Sequence, residues 1–257
     1  MVLLIPPRVE NFVATTVTVD DRAVAARLEW SWSFGIGDPW AVHSPKARYE
    51  LPFTGKARHV CQSFGGRFSH TGRLHYSVDF DVPVGFQIRA SRAGVVCAVK
   101  IDSDQGGASR KYADMANYVH IIHADNTVGC YMHFLKGGIT ARLGSIIKRG
   151  QVIGFVGMTG FTSRPHVHFH VKQHGNIHEG TGWTTLPFKY KSVDSAKGAV
   201  LNSGGWYVND HGAARLKCMS RYAPPAKPKA KKHTAAAPNS SGDTPEGAAD
   251  ASGAIAA

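Results

Sequence analysis

Residues 164–171 read RPHVHFHV. His166, His168 and His170 alternate with Val167, Phe169 and Val171, and a period of two puts the imidazoles on one face of a strand and the apolar side chains on the other. A strand that must bury Val, Phe and Val needs a sheet around it, so this stretch predicts a β-domain with histidines on the face turned away from the core. An isolated HxH is more often a solvated polar face than a metal site. Its meaning depends on what the rest of the chain brings to it.

Further strand-like runs cover residues 76–82, 94–101, 118–123, 128–134 and 152–156, with residues 167–172 as the last of the series. Turn residues separate them and no long helical period intervenes, which predicts a mainly β, antiparallel fold. Glycines in KRGQVIGFVG, residues 148–157, suit the tight turns and bulges of such a sheet. Upstream, residues 9–34 mix β-branched and aromatic residues in partial alternation, which predicts a small β-rich N-terminal region over residues 1–55. Residues 181–222 form a mixed extension in which NSGGWYVND reads as a turn and a strand. From residue 223 to 257 the chain is rich in Ala, Pro, Lys and Gly and nearly free of large apolar groups, so it is expected to be a disordered tail.

The chain has 257 residues, 43% of them hydrophobic, enough for a real core between those flanks. Its formal charge of +12 points to a polyanionic partner or setting without choosing among nucleic acid, envelope polymers and acidic lipid. Cys61, Cys97, Cys130 and Cys218 form no CxxC pair, which excludes a readable zinc ribbon or thioredoxin-like motif and leaves disulfides and buried free thiols both open. No run approaches the length of a transmembrane helix, and the start MVLLIPPRVE is a poor signal peptide.

Three features raise the HxH above a polar face. LHYSVDFDVPVG, residues 74–85, places His75 four residues before Asp79, His70 lies nine before it, and CYMHF, residues 130–134, supplies His133. Imidazoles and a carboxylate on separate strands of one sheet are how a β-domain assembles a catalytic zinc site, with three protein ligands and a position left for water.

These segments, with NYVHIIHADNTVGCYMHF at residues 117–134 and IKRGQVIGFVGMTGFTS at residues 147–163, resemble the lysostaphin-like or LytM-type zinc endopeptidases that cut peptidoglycan cross-bridges. The resemblance implies an antiparallel β-sheet metallopeptidase domain over residues 56–180. It implies Zn2+ as cofactor, with Asp79 and His168 as ligands and His133 and His166 as the catalytic pair, one helping to deprotonate water and the other supporting the oxyanion. The remaining ligand is His70 or His75. The family's HxGxD matches HYSVD except for Ser77 at the Gly, and four residues of straight strand span about 13 Å, a long reach for two short side chains. A branch of the family carries FSH, a short loop and a strand ending in DF, as FSHTGRLHYSVDF does, so His70 is preferred and His75 is the alternative.

His170 stands where the family has Glu, which leaves it outside the ligand set, behind a ligand or on the surface. Arg164 replaces a family Gly at the rim. His120 and His123 are expected to be exposed or groove-lining, and His174, His178 and His211 to lie on the surface. The implied function is hydrolysis of amide bonds in peptidoglycan stems or cross-links, in the cell envelope or periplasm, with anionic envelope polymers as further partners. The competing reading is a catalytically weak or inactive domain that binds the wall and regulates other hydrolases. Nucleic acid is a weaker candidate, because KPKAKKH in the tail has no aromatic residue to stack on bases.

Overall fold

Alternation of apolar and polar side chains is clearest at the middle of the sheet, in residues 77–81 and 166–172. The computed structural model describes residues 42–174, 182–210 and 212–217. Its strands are β1 (Arg58–Gln62), β2 (Ser77–Asp81), β3 (Gln87–Arg89), β4 (Gly94–Lys100), β5 (Gly106–Gly107), β6 (Tyr118–Ile122), β7 (Val128–Met132), β8 (Phe134–Ile139), β9 (Ile146–Ile147), β10 (Val152–Val156), β11 (Gly160–Phe161), β12 (His166–His174), β13 (Trp183–Thr185), β14 (Trp206–Asp210) and β15 (Ala213–Lys217). The main sheet runs β15-β14-β1-β2-β12-β7-β6-β4-β9, with β13 paired to β12, and its pairings are antiparallel. The mainly antiparallel β expectation is met, and each strand-like run between residues 76 and 172 contains or overlaps an observed strand.

β12 lies between β2 and β7 at the centre of this sheet. Val167, Phe169 and Val171 are fully buried, as are Val78 and Phe80 on β2, Tyr131 on β7 and Val119 and Ile121 on β6. Burial of each such side chain contributes about 1.5–3 kcal/mol. A slip of one residue would turn this row out and the histidines in, so the apolar row fixes which face β12 presents.

β3, β10 and β8 form a separate three-stranded sheet, and β11 pairs with β5. Tyr49, Leu51 and Phe53 join the core from the segment before β1. After residue 180, β13 adds to β12 and β14 adds to β1. The strands expected within residues 9–34 and the tail after residue 222 lie outside the described residues. Cys61, Cys97 and Cys130 are free thiols, and Cys218 is outside the described residues. Among the described residues no helix is long and apolar enough to cross a membrane.

Candidate metal centre

The β2–β12 ladder sets His168 directly opposite Asp79, with His166 opposite Asp81 and His170 opposite Ser77. Opposite residues share a face, so one carboxylate and one imidazole meet without any loop being involved. His70 arrives from the loop between β1 and β2. One ligand atom from each of His70, Asp79 and His168 lies within 4.8 Å of the others, and all three residues are buried.

The protonation pattern tests whether these residues fit a cation. His70 Nδ1 lies 2.9 Å from the carbonyl oxygen of Ser63, which can only accept, so Nδ1 carries the proton of the neutral ring and Nε2 keeps the lone pair. That Nε2 is buried without a hydrogen-bond partner and stands 3.1 Å from Asp79 Oδ2. Two lone-pair atoms facing each other in the interior repel unless positive charge lies between them. His168 places Nδ1 2.8 Å from Asp79 Oδ1 and Nε2 2.9 Å from His170 Nδ1. The carboxylate can only accept, so His168 Nδ1–H donates to Asp79 Oδ1, and Nε2, left with the lone pair, accepts from His170 Nδ1–H. Two imidazole nitrogens and one carboxylate oxygen are a donor set suited to zinc.

Electrostatics keep the carboxylate ionised and the His168 ring neutral. Burial alone would raise the Asp79 pKa, but His166 and His168 beside it and the short contacts from His168 and His70 hold it well below the ordinary carboxylate range. Burial lowers His168, against the pull of Asp79, which keeps the imidazole neutral and able to ligate. Cys61 Sγ faces the backbone oxygen of Asp79 at 3.5 Å. Burial, then Asp79 and Asp81, push its thiol pKa far up, so it is no thiolate ligand.

His133 and His166 sit beside the centre with ring centroids 4.5 Å apart. His133 falls in the break between β7 and β8 at φ 71°, a left-handed conformation uncommon for a side chain with a Cβ. Its Nδ1 donates to Thr159 O at 2.6 Å, and Gly157 N donates to its carbonyl at 2.7 Å, so both sides of the strained residue are tied to the loop after β10. Burial, then repulsion from His166 and His168, lowers its pKa to about 3. His166 Nδ1 donates to Arg164 O at 2.9 Å, and its Nε2 lies 3.8 Å from Asp79 Oδ1.

The other histidines separate clearly. His75 is exposed, with its ring against Tyr76 and Gly65, away from the centre. His170 is buried, stacked 5.8 Å from Trp183, and braces His168 from behind. His123 is buried with Nδ1 on Ala93 O, contrary to the exposed or groove-lining position expected, because it turns inward after β6 against Tyr49. His120 is half-buried against Tyr118. The side chain of His174, and His178 and His211 altogether, lie outside the described residues. Arg164 stands at the rim, its Nη1 3.8 Å from Asp81 Oδ2. Sequence reading passed over Gln62, whose Nε2 reaches Asp79 Oδ2 at 3.1 Å, and Ser63, which acts through a backbone carbonyl that leaves no mark in sequence.

The sequence profile of Peptidase family M23 matches residues 73–179, taking in Asp79, His133, His166 and His168 and beginning after His70. The chain carries a peptidase family M23 domain. Among its relatives is lysostaphin of Staphylococcus simulans, 29% identical over 145 residues, covering 55% of this chain and 27% of the relative. Another is the DD-carboxypeptidase/endopeptidase Mpg of Neisseria gonorrhoeae, 34% identical over 119 residues, covering 45% and 25%. The peptidoglycan DD-endopeptidase ShyC of Vibrio cholerae is 31% identical over 144 residues, covering 54% and 30%. The chain thus spans about a quarter to a third of the length of these curated relatives. The catalytic domain of the prophage-encoded M23 protein EnpA from Enterococcus faecalis is 28% identical, covers 53% of this chain and 93% of its own, and superposes with a TM-score of 0.40. The M23 family is zinc-dependent.

Proposed function

We propose that the M23 domain is a zinc-dependent endopeptidase acting on amide bonds in the peptide stems or cross-links of peptidoglycan. His70, Asp79 and His168 hold the metal. The observation that carries this reading is the buried, unpartnered Nε2 of His70 facing Asp79 Oδ2 at 3.1 Å. Bound zinc would supply Lewis acidity for the scissile carbonyl and a lowered pKa for water.

The chain's own groups supply the rest. His133 and His166 each commit Nδ1–H to a backbone carbonyl, so each has Nε2 free for proton transfer or for donation to a developing oxyanion. Burial keeps His133 neutral at ordinary pH, ready to accept a proton. Asp79, held ionised, balances positive charge gathered in the site. A full donor set speaks against the reading as an inactive regulator that has lost its ligands.

Such a substrate sets the work in the cell envelope or periplasm. A chain of net charge +12 would be drawn to anionic wall polymers, an attraction that salt weakens. The test is to quantify zinc in the purified protein and its His168→Ala variant and to follow release of soluble fragments from purified murein with and without chelator. The expected outcome is about one zinc per chain and chelator-sensitive release, both lost in the variant, as for a three-ligand catalytic site. A protein that takes up no zinc on reconstitution and leaves murein intact would sink the proposal.

A further inference from the structure

Gln62 closes β1 directly opposite Asp79, after an irregularity in the β1–β2 register. Its amide orientation follows from its neighbours. Oε1 lies 3.0 Å from the backbone nitrogen of Phe68 and 3.3 Å from that of Ser69, and both of those can only donate. The other end is therefore the nitrogen, and it donates to Ser69 Oγ at 2.7 Å and to Asp79 Oδ2 at 3.1 Å. One side chain thus bonds to a ligand of the candidate centre and to the two residues that immediately precede another ligand, His70.

The loop is built around that side chain. A Cβ at Gly66 would fall 2.1 Å from Gln62 Cγ, and the Gly66 carbonyl accepts from His70 N at 3.0 Å. The residue after Gln62, Ser63, supplies the carbonyl that fixes the His70 tautomer. Ser63 is in turn held by Ser203 Oγ on its nitrogen at 2.9 Å and by a hydrogen bond from its own Oγ to Leu201 O at 2.5 Å. Gln62 and Ser63 both precede residue 73, where the match to the M23 profile begins.

We propose that Gln62 is a positioning residue for the metal centre: it holds the His70 loop and the Asp79 carboxylate at a fixed separation, so that the two ligands converge before metal arrives. The inference rests on reading His70, Asp79 and His168 as the zinc site. It differs from a structural role in a specific way. A residue that only plugs the loop would, when replaced, lower the melting temperature of the metal-free protein and leave the zinc affinity of the folded protein alone. A positioning residue changes the affinity itself.

The experiment is competition for zinc against a chromophoric chelator, using the full chain, Gln62→Met, Gly66→Ala and the double variant, with thermal unfolding of each metal-free protein measured alongside. Gln62→Met keeps the length of the side chain and removes its four hydrogen bonds. It is expected to weaken zinc binding by about 10–100-fold, the usual cost of losing an outer partner of a ligand. Gly66→Ala keeps the glutamine at position 62 but displaces its side chain, and should weaken zinc in the same direction. If the effect of Gly66 passes through Gln62, the double variant should bind zinc within about twofold of Gln62→Met alone.

Affinities within about twofold of wild type in both single variants would overturn the proposal, being far below the effect expected of an outer partner. Should Gln62→Met fail to fold, Gly66→Ala decides the matter by the same criterion. A wild-type chain that binds no zinc would remove the centre and this role together. Zinc bound by wild type and equally by the variants would remove the role of Gln62 only.

Discussion

The candidate centre has a strand-borne half and a loop-borne half, and they are held by different physics. Asp79 and His168 face each other across the β2–β12 ladder, flanked by the pairs His166–Asp81 and His170–Ser77. Their separation follows from a register that the buried row Val167, Phe169 and Val171 enforces. His70 and His133 lie outside the strands. Each is aimed by one backbone carbonyl on its Nδ1, from Ser63 and from Thr159. A geometry inherited from hydrophobic register is shared over many contacts, whereas one held by single polar contacts can be undone one contact at a time.

The largest effect should come from the loop half. If His70 is a ligand, His70→Ala should weaken zinc binding by more than about 100-fold, beyond what loss of an outer partner costs, whereas His75→Ala should stay within about threefold of wild type. Chelator competition on both variants measures this. The reverse order would mean that the exposed His75 swings in to replace His70, and the division into two halves would have to be redrawn.

How much of this was legible in sequence tracks the same division. β12 and β2 announce themselves by period two, and with them come Asp79, His168 and the face they share. His133 and His70 needed the motif context around YMHF and FSH, because nothing in composition says where a loop will fold back. The supports of the loop half were not legible. Ser63 and Thr159 act through carbonyls that every residue has, and Gln62 is an ordinary polar residue at the end of a short, weakly alternating strand. Trp183, which stacks on His170, comes from beyond the residues that match the M23 profile, so only the fold brings it to the site.

His123 offers a control for the loop half. Like His70 and His133 it is buried with Nδ1 tied to a backbone carbonyl, that of Ala93 at 2.8 Å, and its Nε2 has no hydrogen-bond partner. Gly129 packs against that Nε2, so that a Cβ added there would lie 2.8 Å from it. Burial, partly offset by the Ala93 contact, lowers its pKa to about 4. A folded-state value below the ordinary 6.5 means that the unfolded chain binds more protons between those limits, so stability is full above about pH 6.5 and declines as pH falls toward about 4. His123→Asn can keep a donor for Ala93 but cannot titrate. In urea unfolding of the metal-free protein at pH 7, 5.5 and 4.5, the variant should lose less stability on acidification, by up to about 1.4 kcal/mol per pH unit. Identical acid slopes would mean that burial does not hold this imidazole neutral in the folded protein.

The smallest effect should come from removing a polar contact on the strand half. Ser77 lies on β2 opposite His170, and its Oγ donates to Leu74 O at 2.7 Å, closing the turn that leads into the strand. Ser77→Ala deletes that bond and leaves the apolar row untouched, so it should cost about 0.5–1.5 kcal/mol of stability, the net value of one ordinary hydrogen bond. If register alone places Asp79 against His168, zinc affinity should remain within about twofold of wild type, well short of the cost of losing an outer partner of a ligand. A drop as large as that expected for Gln62→Met would show that the strand half also depends on single polar contacts. The convergence of Asp79 and His168 would then belong to the turn before β2 as much as to the ladder.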